Sequence, residues 1–140
     1  MIEYLDSKIG KTKTSSLLFF FVSLVTVTIP DWDLIFKGVL LHRSILFHSI
    51  LIPFLIDYFH RKYSNTKYPI IIAAIYFSFM VHLSGDLFPK SWQGYALISI
   101  PFIGWIGFLS PFWILGNILA AAYFCIRIIK QHNLSFYPYY

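Results

Sequence analysis

The chain is poor in three things, and each shortage excludes something. It holds one cysteine, Cys125, in 140 residues, so neither a disulfide framework nor a multi-cysteine metal site is available to it. Only 12% of its residues are charged, against roughly 25% in a soluble domain, so it has too little polar surface to cover itself in water. Acidic residues are scarcest, six against eleven Lys and Arg. The resulting formal charge of +5 is modest, and no nucleic-acid partner is expected. No His-Glu-x-x-His segment occurs, which excludes the zinc proteases that use it. No cleavable leader is expected either. Residues 1–13 mix Glu3 and Asp6 with Lys8, Lys11 and Lys13, and the apolar run from Leu17 ends in Pro-Asp, not in small residues.

What is abundant is apolar. Hydrophobic residues make up 58% of the chain, which predicts one integral membrane domain over 1–140. The expected fold is all-α with about four transmembrane helices. The apolar segments are Ser15–Ile29, stopped by Pro30, then Ser44–Phe59, Pro69–Leu87 and Pro111–Ile129. The first is short, since about 20 residues are needed to span. Residues 94–109 are apolar but broken by Gly94, Pro101, Gly104 and Gly107. They read either as a short re-entrant segment or as a β-hairpin, with Tyr95–Ile100 as one strand, Gly104 in the turn and Trp105–Leu109 returning.

Charge orients the spans. With the N-terminus in the cytoplasm, Lys8, Lys11, Lys13, Arg61, Lys62, Lys67, Arg127 and Lys130 face inside, and only Lys37, Arg43 and Lys90 face outside. Both termini are therefore expected in the cytoplasm. The end of the first helix, the start of the second and the end of the third then meet at the outer face.

Three polar motifs occupy those places. Asp31 and Asp33 flank Trp32 after Pro30, and in an extended turn both carboxylates would point the same way. His42 and His48 bracket the start of the second helix. Six residues correspond to about 240° around a helix, so one histidine must precede it. His82 and Asp86 are four apart and share one helix face. Imidazole and carboxylate together suit a divalent zinc, manganese or iron ion, without choosing among them. Arg43, beside His42, offers a fork for a phosphate or carboxylate group, and Ser49 a hydrogen bond to a ligand residue. Each motif also has a plainer reading. Pro-Asp-x-Asp can end a helix with solvated carboxylates, His82 can be a packing histidine, and Arg43 can snorkel to the interface. Asp57 and His60 read as polar helix-end residues beside Arg61.

In this order and between apolar helices, Pro30-Asp-x-Asp33, His42-Arg-x(4)-His48-Ser49 and His82-x(3)-Asp86-Leu87 resemble the bacterial and archaeal inner-membrane metal-dependent hydrolases of the YdjM-like type. The segment Gly94-Tyr-Ala-Leu-Ile-Ser-Ile-Pro-Phe102 resembles that family's glycine-to-proline segment, so the likeness runs over roughly half the chain, about Pro30 to Phe102. Phe47 stands where the family usually has Thr, and Ser84-Gly85 replaces an apolar pair. The resemblance implies a metal-dependent hydrolase in the bacterial inner membrane. Asp31, Asp33, His42, His48, His82 and Asp86 are then the metal ligands, and Asp31, Asp33 and Arg43 the catalytic groups. A site among headgroups points to membrane lipid and to a phosphoester or lipid-linked substrate. The alternative is a non-enzymatic metal- or lipid-binding membrane protein.

Overall fold

The computed structural model describes residues 15–37, 43–63, 68–87, 98–132 and 134. Helix α1 covers residues 15–26. Two turn residues lead to a 3-10 turn, Ile29–Trp32, and directly to a short helix α2, Asp33–Lys37. Pro30 thus does not stop the segment. Its fixed φ and missing N–H are harmless in the first positions of the 3-10 turn, and helical backbone runs on through it. The candidate span accordingly extends from Ser15 to Ile35, 21 residues, instead of ending at Ile29.

The second segment differs from expectation in the other direction. Ser44 bridges to Ser99, residues 45–50 are turns and a bend, and helix α3 is only Leu51–Tyr63. Its 13 residues reach about 20 Å, against the roughly 30 Å of a hydrocarbon core. The late start has a local cause. The Ile50 N–H donates to Asn117 Oδ1 at 2.8 Å, and the Leu51 N–H to Ser49 Oγ at 3.2 Å. Side chains thereby take up donors that a helix start leaves open. Pro53, in the first turn of α3, has no N–H to lose there.

Helix α4, Pro69–Asp86, and helix α5, Ser110–Gln131, each begin with proline in the first turn. Among the described residues three helices are long and apolar enough to cross a membrane: Ser15–Ile35, Pro69–Asp86 and Gly107–Gln131. The expectation of four such helices is thus three plus the shorter α3.

Helix α4 is the axis of the bundle. Its apolar residues point all round, and half of its span is buried against neighbours. Ile72, Ala73, Ile75, Tyr76 and Phe79 pack with Ala121, Cys125 and Ile128 of α5, and a smaller cluster joins Leu83, Ile98 and Ile114. Helix α1 lies along α4 in the same direction. Thr26 and Ser78 share a 2.7 Å hydroxyl contact, and the Ser78 hydroxyl also lies 3.0 Å from the Ser23 carbonyl. Helices α3 and α5 run back the other way. Outward faces are greasy: Leu17, Phe20, Phe21 and Leu24 on α1, and Leu119, Tyr123 and Ile126 on α5, are exposed. A hydrocarbon solvent would account for that distribution.

Residues 98–109 contain the hairpin. Strand β1, Ser99–Ile100, pairs antiparallel with β2, Gly104–Trp105, in the register Ser99 to Trp105 and Ile100 to Gly104. Gly104, at φ +116°, opens the return strand instead of forming the turn, and Gly107–Leu109 is a 3-10 turn, not strand. The expected first-strand residues 95–97 lie outside the described residues.

Candidate metal centre

Four segments converge at the C-terminal end of α4. From α4 come His82 and Asp86. From the 3-10 turn and α2 come Asp31 and Asp33. The turn before α3 brings His48, held by its N–H to the Ser44 carbonyl at 2.8 Å, and Arg43.

Because Pro30 leaves the backbone helical, Asp31 and Asp33 do not share a side as extended alternation would have it. Two residues span about 200° of helix, so they diverge. Asp33 is fully buried, 3.5 Å from His48 Nδ1, and its Oδ2 accepts the Ser44 N–H at 2.7 Å. Asp31 stays partly exposed and brings Oδ1 to 3.5 Å from His82 Nε2.

Asp86 is the hub. Its Oδ2 lies 3.3 Å from Nε2 of His48 and 3.3 Å from Nε2 of His82. Its Oδ1 meets Arg43 Nη2 at 2.8 Å. The two imidazole rings stand edge to face, centroids 5.6 Å apart. Asp31, His48 and His82 each offer a ligand atom within 4.8 Å of the others, so this group can hold a metal ion.

The tautomer of His82 follows from its surroundings. Nδ1 lies 2.8 Å from the Val27 carbonyl, which can only accept, so Nδ1 carries the proton. In neutral histidine Nε2 is then a bare lone pair, and it faces two carboxylate oxygens. Nε2 of His82 and Oδ2 of Asp86 are both buried and make no hydrogen bond. A metal cation placed between them would satisfy both. A charge-assisted N–H···O⁻ bond would be about 2.7–2.9 Å, shorter than the gap. Tetrahedral ligand bonds near 2.1 Å instead place neighbouring ligand atoms about 3.4 Å apart, close to the spacings here.

The charge balance permits such an ion. Asp31, Asp33 and Asp86 bring three negative charges and Arg43 one positive, so with neutral histidines a divalent ion balances the cluster. Burial alone would push the His48 pKa down. The Asp33 and Asp86 carboxylates more than reverse this, leaving His48 raised above its ordinary value.

His42 lies outside the described residues. Ser49 contacts none of the cluster. Its hydroxyl donates to the Leu46 carbonyl at 3.0 Å and receives the Leu51 N–H, so it shapes the start of α3 instead of supporting a ligand. Arg43 has φ +66°, a left-handed conformation unusual for a residue with a side chain. Backbone bonds to the hairpin hold it there: the Ser99 N–H to the Arg43 carbonyl at 2.9 Å and the Ile45 N–H to the Ser99 carbonyl at 2.8 Å. Sequence reasoning missed these supports, as it missed Val27 and Trp113, whose indole N–H reaches the His48 carbonyl at 3.3 Å. Asn117 was the one legible signal, a lone amide in an apolar helix.

In comparisons with family models, curated proteins and solved structures, nothing matches this chain.

Proposed function

We propose that this chain is a membrane-bound metal-dependent hydrolase of the bacterial inner membrane. Its His/Asp centre would lie at the outer face, both termini in the cytoplasm, and its substrates would be phosphoesters or lipid-linked molecules. The resemblance of the three motifs to the inner-membrane hydrolases supports the reading. The observation that carries it is the bare Nε2 of His82, turned toward Asp86 and Asp31 by the bond from Nδ1 to the Val27 carbonyl.

His48, His82, Asp86 and Asp31 would hold the ion, zinc, manganese or iron. A bound ion of this kind supplies an acidified water and polarises a phosphoryl or carbonyl oxygen. The chain's own groups divide the remaining work. Asp33, buried against His48 Nδ1 and the Ser44 N–H, orients the imidazole and is badly placed to reach substrate. Asp31, the most exposed carboxylate of the set, is the better general base. Arg43, engaged with Asp86, offsets negative charge in the cluster.

The second reading is a non-enzymatic metal- or lipid-binding protein. It is favoured by Arg43, whose side chain is only 6% exposed and so turned inward, away from an incoming anion. Metal-loaded protein in micelles, assayed on bis-(p-nitrophenyl) phosphate and on lipid phosphoesters, separates the two. Turnover that requires metal and disappears in His82→Ala supports the hydrolase. Full metal occupancy with no turnover on either substrate class overturns it in favour of the binder.

A further inference from the structure

The other end of α4 holds a second polar assembly, which the metal centre does not use. A cavity of about 200 Å³ opens between the ends of three helices. Asp57, His60 and Arg61 line it from α3, Pro69 and Ile72 from the start of α4, and Ile128 and His132 from the end of α5. Pro69 and His82 are thirteen residues apart on one helix, so the cavity lies about 20 Å from the metal centre.

Arg61 is pre-positioned here. Its Nε and Nη2 each reach a different oxygen of Asp57 at 2.7 Å, and Asp57 is buried. That two-pronged grip leaves Nη1 for another acceptor, on a side chain 52% exposed. His60 Nε2 accepts the Tyr68 N–H at 3.4 Å, so Nδ1 carries the proton and is a donor. The first turn of α4 adds the positive end of a helix dipole, and no side chain caps it.

Beneath the floor lies an independent sign of a missing polar partner. Tyr76 is one helical turn below Ile72, on the same face of α4. It is fully buried, and its hydroxyl makes no hydrogen bond. Asp57, Arg61 and Arg127 all lie within its electrostatic reach.

The surroundings are those of a membrane surface. Tyr58, Tyr63 and Tyr68 are exposed around this end, and Lys62 Nζ lies over the Tyr58 and Tyr63 rings at 5.7 and 5.2 Å. Aromatic and basic residues gather at such boundaries, and basic pockets between helices there take up anionic headgroups. Ile72, Ile128 and Pro69 give the cavity an apolar wall beside its donors.

We propose that this cavity binds the phosphate of an anionic phospholipid headgroup, with Arg61, held by Asp57, and His60 as its donors. The apolar wall receives the glycerol end, which a free phosphate lacks.

The test uses the full chain in neutral-detergent micelles. Its thermal unfolding is followed with short-chain phosphatidic acid, phosphatidylglycerol, phosphatidylcholine and inorganic phosphate. The anionic lipids should raise the unfolding temperature at concentrations at least tenfold below those at which phosphatidylcholine or inorganic phosphate act. Arg61→Gln should weaken that response tenfold or more while metal content stays unchanged. Because Arg61→Gln strands the Asp57 carboxylate, the double variant Asp57→Asn/Arg61→Gln is measured beside it and should show the same loss. An equal response to phosphatidylcholine overturns the proposal, as does an undiminished response in the double variant. Inorganic phosphate acting as strongly as the lipids overturns the lipid as the source of the phosphate.

Discussion

The His82 ring donates from Nδ1 to the Val27 carbonyl at 2.8 Å, and this one bond fixes which nitrogen can bind a metal. Val27 lies in the turn after α1, so packing of α1 against α4 sets the protonation pattern of the ring. His82→Ala should cut bound zinc, manganese or iron at least about tenfold, as ligand loss does when even outer supports cost 10–100-fold. Elemental analysis of purified protein checks this. Unchanged stoichiometry would remove His82 from the ligand set.

Asp33→Asn tests a supporting role. The amide still has an oxygen for the Ser44 N–H but loses the charge beside His48 Nδ1. Metal affinity should fall about 10–100-fold, with the fold retained. Competition against a chromogenic chelator reads this, and a wild-type affinity would show that Asp33 does not tune His48.

How much of this arrangement was legible depends on whether side chains or backbone did the work. The His82 to Asp86 spacing on α4 named a shared helix face, and the structure brings His82 Nε2 to 3.3 Å from Asp86 Oδ2. Pro30 misled, because proline ends a helix from its interior but fits the start of a 3-10 turn, and only tertiary context decides which applies. The turn at residues 45–50 was hidden for a similar reason. Its apolar residues continue without a break into α3, and what delays that helix is Asn117, 67 residues away from Ile50. The supports from Val27 and Ser99 are carbonyl and amide groups, identical in every residue, and no sequence pattern announces them.

Arg43 combines a buried ion pair with a left-handed backbone, and two substitutions separate the contributions. Arg43→Ala leaves Asp86 Oδ1 without its partner and should cost about 3–5 kcal/mol. Arg43→Gly loses the same pair but relaxes at φ +66°, so it should be about 1 kcal/mol more stable than Arg43→Ala. Denaturant unfolding in micelles measures both. A glycine variant less stable than the alanine variant would contradict the strain argument.

Metal-free protein should show a pH dependence that metal reverses. The His48 pKa is raised in the folded state, so its stabilisation is complete below the ordinary value of 6.5 and is lost as pH climbs through the folded value. Stripped of metal, the protein should therefore melt at a higher temperature near about pH 6 than near about pH 8.5, with the difference reduced in His48→Ala. Added metal should stabilise more strongly as pH rises, because the ligand imidazole must first lose its proton. Parallel pH profiles with and without metal would count against His48 as a ligand.

Between α1 and α4 the Ser78 hydroxyl is shared by Thr26, Ala74 and Ser23 within 2.7–3.0 Å. Ser78→Ala should cost about 0.6 kcal/mol and no more than about 1.7 kcal/mol, the range of interhelical hydrogen bonds in membranes. A larger loss in micelle unfolding would mean that the hydroxyl also positions His82, one turn further along α4.

The pairing of Ser44 with Ser99 has a bearing on the order in which the protein is made. All the described candidate metal ligands emerge from the ribosome by Asp86, but the strand that pins Arg43 and Ser44 comes later, and Trp113 and Asn117, which brace the turn carrying His48, come later still. A nascent chain halted after α4 has every one of those ligands and no scaffold to aim them. Capture of an ion by these groups would thereby wait until α5 has inserted.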